Sequence, residues 1–270
     1  RRQAWAYMEE WNAGMAQHGT ADFADTITRA VEHAQSRSDA SYRAAVIDEA
    51  QDLTLMGLQL VRALVNGKRD DDRDDGLLIV GDGAQRIYPG AFTLRQAGVE
   101  VRGRTTVLRL NYRNTAEILA AATTVLGNGP VVDMDDEDSD APNRFEEERA
   151  EASRSGLRPL LVDCGDDERE NVFLVKQIKN VVASGVVGYG DIGVFVPINS
   201  MVKATVKRLN EGGVSAVPLK QYDGIPSPEV KVGTYARSKG LEFKVVLLPR
   251  VKVGTVPHEQ RANQSDEAYA

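Results

Sequence analysis

The chain has 270 residues, 33 basic against 40 acidic side chains for a net charge of −7, one cysteine and three histidines. One thiol, Cys164, closes no internal disulfide and shares no zinc-type spacing with His18, His33 or His258, which excludes a disulfide scaffold or a Cys/His metal centre and points to a reducing, cytoplasmic location. No apolar run approaches the roughly 20 residues of a membrane helix, and the N-terminus carries no signal-peptide stretch, so the length is read as one large or two ordinary soluble domains.

In chain order, residues 1–35 place Trp5, Met8, Trp11 and Met15, then Phe23, Ile27, Ala30 and Val31, at helical spacing, with Thr20 and Asp22 between them as caps; two helices are predicted. Short apolar runs of buried-strand type follow at 44–47, 77–80, 107–110, 160–162, 193–196, 230–232 and 245–248. Helical stretches at 53–64, 115–126, 168–184 and 200–210 separate most of them, the last two stopping at Gly185 and Gly212-Gly213. Strand–helix alternation of this kind predicts an α/β fold with parallel sheets. The acidity is local. From Asp133 to Glu151 there are ten acidic and two basic residues, a net of −8 that leaves the rest of the chain at +1. This segment, near 133–156, and the charged run at 68–75 read as solvated loops. The overall charge therefore neither supports nor opposes a nucleic-acid partner.

Four stretches carry candidate chemistry. Ala44-Ala45-Val46-Ile47 runs into Asp48-Glu49-Ala50-Gln51-Asp52. A strand ending in two carboxylates delivers them to the carboxyl edge of a parallel sheet, where such sheets bind ligands. There Asp48 can hold a nucleotide's magnesium, and Glu49 can orient and deprotonate an attacking water. Taken alone, the pair also fits an ordinary strand–helix junction with Asp52 as the helix cap. The next strand runs into Gly81-Asp82-Gly83-Ala84-Gln85-Arg86-Ile87-Tyr88, where the Gln85 amide can both donate to a phosphate and accept from water, or where the glycines simply make a turn. After the third strand, Asn111-Tyr112-Arg113-Asn114 offers a flat ring for a base and a forked cation for phosphoryl charge; Asn114 or Thr115 can equally cap a helix with Arg113 on the surface. Last, Thr234-Tyr235-Ala236-Arg237-Ser238-Lys239-Gly240-Leu241-Glu242-Phe243 has the makings of a phosphate-facing turn between strands.

The order DEAQD, GDxxQxIY, LxxNYRN and TxxxSKGLEF resembles motifs II, III, IV and V of superfamily 1 DNA helicases of the UvrD, Rep and PcrA kind. Gly19 to Asp25, Tyr42-Arg43 and the stretch 192–216 extend the likeness. The resemblance implies two RecA-like lobes that close on ATP and reopen after hydrolysis while moving along single-stranded DNA, or a duplex with a single-stranded tail. It further implies that Asp48 coordinates Mg2+, Glu49 is the catalytic base, and Gln85 couples the γ-phosphate to DNA. Tyr112 would stack on adenine, Arg113 would act as an arginine finger, and Gly240 and Glu242 would meet phosphate and ribose. Tyr88, Thr234, Arg237 and Lys239 would lie toward nucleic acid. The boundary between lobes is expected just before residue 105, giving 1–104 as the C-terminal part of the first lobe with preceding helices, and 105–270 as the second.

The sequence also departs from that pattern. No G-x-x-x-x-G-K-[ST] occurs; Gly67-Lys68 is followed by Arg69. No arginine-bearing motif VI follows the fourth stretch. Pro89-Gly90-Ala91-Phe92-Thr93 replaces the family's aromatic-arginine-glycine continuation of motif III, and Ala236 stands where many members carry histidine. The 116 residues between Arg113 and Val230 leave no room for a large inserted 2B domain. With the first methionine at Met8, the expectation is a piece of a helicase that by itself lacks ATPase activity; the alternative is a degenerate module that binds DNA or a protein without hydrolysis.

Overall fold

The computed structural model describes residues 2–37, 42–66, 76–82, 85, 92–101, 103–108, 110–126 and 151–256. Two compact units divide after Pro159. In the first, α1 (Arg2–His18) and α2 (Phe23–Ser36) follow the predicted spacing. Asp22 starts α2 through a capping box: its carboxylate accepts from the Asp25 N–H at 2.8 Å, and Asp25 accepts from the Asp22 N–H. Strand β1 (Ala45–Ile47) pairs in parallel with β2 (Leu77–Ile79), Ile47 opposite Ile79, and α3 (Leu55–Asn66) connects them. The cap of α3 is Thr54, whose hydroxyl accepts from the Gly57 N–H; Asp52 instead closes a short 3-10 turn, Ala50–Asp52. Ile47, Leu58, Phe92, Leu94 and Val99 make the core beneath β1. Fully buried Leu58 is one of its keystones, and truncation to alanine is expected to cost about 2–5 kcal/mol.

A separate parallel pair joins β3 (Leu110–Thr115) to β4 (Glu151–Arg154), with α4 (Ala116–Leu126) packed against both. Here the structure corrects the sequence reading twice. The tail of the expected acidic loop, 151–154, is a strand, because the backbone N–H and C=O groups of even a polar segment can complete a ladder; residues 133–150 lie outside the described residues. The apolar run 160–162, expected as a strand, forms none, and Leu160 and Leu161 are exposed. Pro159, which has no N–H to give a ladder, precedes it, and β3 takes 151–154 as its partner.

The second unit is a four-stranded all-parallel sheet in the order β6-β7-β5-β8: β5 (Ile192–Val196), β6 (Ala216–Pro218), β7 (Val230–Thr234) and β8 (Val245–Leu247). Helices α5 (Asp167–Ala183) and α6 (Asn199–Glu211) bury Leu174, Ile178 and Leu209 against Ile192, Val194, Val230 and Val232. All five residues of β5 and of β7 are buried, which is why both read as continuous apolar runs. Lys231 is the exception in that run. Its ammonium donates to the carbonyls of Ser227 and Glu229 at 2.8 and 2.7 Å, so the buried cation is solvated by backbone, and burial lowers its pKa. After β8, Arg250 takes a left-handed backbone (φ 68) and locks onto α5: its guanidinium meets Glu170 at 2.6 Å, Asp167 at 3.0 Å and Asn171 at 3.0 Å.

Candidate active site

Both carboxylates expected to carry chemistry sit at the carboxyl end of β1, beside the carboxyl end of β2. Asp48 is exposed, and its Oδ1 accepts from the Glu49 N–H at 2.9 Å. Glu49 is half-buried and holds φ 53, ψ 40, a left-handed conformation that costs a residue with a Cβ of order 1–3 kcal/mol. Fixed bonds on both sides hold it there: Ala50 N–H donates to the Val80 carbonyl at 3.0 Å, and Val80 N–H to the Ile47 carbonyl at 2.8 Å. The strain thus falls on the residue read as the base.

Nothing in the sequence pattern alone gives Gln51 a role. It is 2% exposed. Its Oε1 accepts from the Asp82 N–H at 3.0 Å, and its Nε2 donates to Glu49 Oε2. Asp82 in turn accepts from Gln85 twice, Oδ2 from the side-chain Nε2 at 2.7 Å and the backbone carbonyl from the N–H at 3.0 Å. The structure therefore brings Asp48, Glu49 and Gln85 into one neighbourhood through Gln51 and Asp82. An apolar-then-buried-amide pattern after the carboxylates was the available signal, but its partner lies 31 residues on. Phe92, in the altered continuation of motif III, is buried in the core at 5% exposure, so it presents no ring to a base. Tyr88 lies outside the described residues.

Tyr112 and Arg113 are both exposed on β3. Asn111 Oδ1 accepts from the N–H groups of Arg113 and Asn114 at 2.9 and 2.8 Å, and this turn coincides with the break in register between β3 and β4, which projects the two side chains from the ladder. Thr115, not Asn114, takes the cap position, its hydroxyl accepting from the Ile118 N–H. Behind them Glu117 accepts from the Ser155 hydroxyl at 2.6 Å and the Gly156 N–H at 2.8 Å. These bonds, the hydroxyl first, hold its carboxyl pKa down to about 2.

In the second unit Thr234 ends β7 buried, and the turn that follows carries Arg237 exposed, Lys239 half-buried, Gly240 at φ 75 and Glu242 exposed. The short helix α7 (Tyr235–Ser238) shapes it: the Ser238 hydroxyl donates to the Tyr235 carbonyl at 2.7 Å and Leu241 N–H to the Ser238 carbonyl at 3.0 Å. Phe243 anchors the far side, edge-on to Phe195 of β5 with ring centres 5.5 Å apart. Gly193 makes room for the pair, since a Cβ there would lie 2.7 Å from the Phe195 ring. Burial raises the Tyr235 hydroxyl pKa, with the Glu170 carboxylate adding to it. Thr234, Arg237, Lys239, Gly240 and Glu242 are thus gathered at the end of β7 and on the turn that follows it.

Among the described residues no three His, Cys, Asp or Glu side chains cluster as a metal site, and no helix is long and apolar enough to cross a membrane. Residues 1–99 match the UvrD/REP helicase N-terminal domain. Similar proteins include the mitochondrial ATP-dependent DNA helicase HMI1 of Saccharomyces cerevisiae, 27% identical over 73% of this chain and 29% of its own. Another is the ATP-dependent DNA helicase UvrD1 of Mycobacterium tuberculosis, 29% identical over 68% of this chain and 23% of its own. The chain spans less than a third of the length of these relatives. The parallel α/β architecture is consistent with a RecA-like lobe, and the chain shows distant similarity, over part of their length, to superfamily 1 DNA helicases of the UvrD kind, its residues 1–99 matching the UvrD/REP helicase N-terminal domain.

Proposed function

We propose that this chain is part of an ATP-dependent superfamily 1 DNA helicase or translocase that couples ATP hydrolysis to movement on single-stranded DNA. The observation that carries the reading is the placement of Asp48 and Glu49 at the carboxyl edge of β1, next to the Gly81–Asp82 turn that holds Gln85. Two RecA-like lobes are proposed, an incomplete one at 1–104 and a second at 105–270.

The residues fit magnesium and ATP. Mg2+ keeps several waters and is commonly bound by one or two carboxylates together with substrate phosphates, a role that a single exposed carboxylate at a strand end can fill. Asp48, exposed at the strand end, would hold it; the ion's chemistry is to neutralise the phosphate oxygens as charge develops on them. Glu49 would take the proton of the attacking water and orient that water. Gln85 would contact the terminal phosphate, Arg113 would stabilise phosphoryl charge, and Tyr112, exposed and flat, would stack on the base. Gly240, whose αL backbone lets a ligand approach closely, and Glu242 would meet phosphate and ribose. Thr234, Arg237 and Lys239 would contact single-stranded DNA or line its path, and Tyr88 would do so from the motif III loop.

Because no G-x-x-x-x-G-K-[ST] loop is present in these 270 residues, the chain alone is proposed to bind phosphates weakly and hydrolyse ATP negligibly. That same absence favours the second reading, a module that binds DNA or a protein without turnover. ATPase measurement with and without single-stranded DNA, on the full-length protein carrying this sequence and on the 270-residue chain, separates the two: DNA-stimulated turnover in the former supports the helicase reading, and none in either supports the binding module. The lone cysteine supports a reducing compartment such as the cytoplasm.

A further inference from the structure

Gln51 is a buried primary amide, and such a group needs an acceptor for its N–H bonds and a donor for its oxygen. Its orientation is forced by chemistry. The Asp82 backbone N–H can only donate and the Glu49 carboxylate accepts, so Oε1 faces the former and Nε2 the latter. Beyond Asp82 the chain of bonds runs on to Gln85, whose amide donates to Asp82 Oδ2 at 2.7 Å. Gly81 keeps this route open, since a Cβ there would lie 2.7 Å from Gln51 Oε1 and 3.4 Å from the Gln51 N–H nitrogen. At the other end, the left-handed backbone of Glu49 is fixed by flanking ladder bonds, and Gln51 Nε2 donates to its carboxylate Oε2.

We infer that Gln51 is a positioning residue: it aims the Glu49 carboxylate and couples it, through Asp82, to the position of Gln85. The inference rests on the proposed ATPase reading, in which Glu49 is the base and Gln85 faces the terminal phosphate. A shift of the Gly81–Asp82 turn when Gln85 meets or loses phosphate would pull on Gln51 Oε1, and the opposite end of the same amide would turn the carboxylate. The base would then be aligned when phosphate is engaged and misaligned when it is not.

The two ends of the amide can be separated by substitution. Gln51→Glu keeps an acceptor for the Asp82 N–H and replaces the donor to Glu49 by a second carboxylate; Gln51→Ala removes both. In the full-length protein carrying this sequence, each variant is expected to lower kcat of single-strand-stimulated ATP hydrolysis by roughly 10–100-fold, the scale of a small misplacement of a reacting group, with KM for ATP within about twofold. Hydrogen exchange at the Asp82 amide should speed up in Gln51→Ala and stay slow in Gln51→Glu, which also shows that the latter is folded. Turnover of Gln51→Glu within about twofold of the unsubstituted protein, with the Asp82 amide protected, would reduce Gln51 to packing and overturn the inference. Glu49→Gln is run beside them. Full activity in Glu49→Gln removes the ATPase assignment itself, whereas an inactive Glu49→Gln with an active Gln51→Glu removes only the coupling.

Discussion

The Asp82 N–H donates to the buried side-chain oxygen of Gln51 at 3.0 Å, joining two turns 31 residues apart in sequence. The bond exists because Gly81 has no side chain. Gly81→Ala would place a methyl 2.7 Å from that oxygen, so Gln51 must swing away. On the proposed function, kcat of ATP hydrolysis by the full-length protein should fall by about tenfold or more with little change in KM, since positioning rather than binding is lost. Unchanged kcat would show that the two turns do not need this contact.

The proposed base and cation give a second test. If Glu49 is the proton acceptor and Arg113 the fork for phosphoryl charge, Glu49→Gln and Arg113→Ala are each expected to lower kcat by at least about 100-fold. Steady-state ATPase kinetics on the full-length protein measure both. Tyr112→Ala should differ in kind, raising KM for ATP while leaving most of kcat, because a stacking contact binds ground state and transition state alike.

Glu117 makes a pH prediction. Its carboxyl pKa is depressed from an ordinary 4.5 to about 2 by the Ser155 hydroxyl and backbone N–H groups. A depressed folded-state pKa means stabilisation that is complete above the unfolded value and lost as pH falls from about 4.5 toward 2. Urea denaturation, followed by hydrogen exchange in α4, should show Glu117→Gln less stable than the unsubstituted chain near neutrality and the gap closing through that window. A gap independent of pH would show that the charged form is not what the Ser155 and Gly156 bonds favour.

Arg250 tests the second unit. Its side chain, 15% exposed, pairs with Glu170, 24% exposed, and with Asp167 at the start of α5. Removing one partner leaves a partly desolvated carboxylate, so Arg250→Ala is expected to cost about 2 kcal/mol, between the surface and fully buried limits. Exchange protection of β7 amides reports the loss. Arg250→Lys keeps the charge without the fork and should fall between, and a loss under about 0.5 kcal/mol in Arg250→Ala would mean that solvent screens the cluster.

Strands buried on both faces were the legible part of the fold. Ile192–Val196 and Val230–Thr234 announce themselves as apolar runs because every residue faces a packed layer. Ala216–Pro218 was not visible, being three residues ending in proline, nor was Glu151–Arg154, whose polar side chains hide a ladder made by backbone. The run at 160–162 misled in the opposite sense: it follows Pro159, joins no ladder, and leaves Leu160 and Leu161 exposed. At the candidate site, Asp48 and Glu49 could be placed from the strand before them, since chain direction decides which sheet edge they reach. Gln51 could not, because its role depends on Asp82 approaching through space, and Glu49's left-handed backbone is set by ladder bonds to Val80 rather than by its own type.

The proposed service of Asp48, Glu49 and Gln85 in ATP hydrolysis linked to single-stranded DNA is decided by single-strand-stimulated ATPase activity of the full-length protein carrying this sequence, with and without Glu49→Gln. Turnover should rise when single-stranded DNA is added and be abolished by the substitution. Turnover that ignores DNA, or that survives Glu49→Gln, would contradict it.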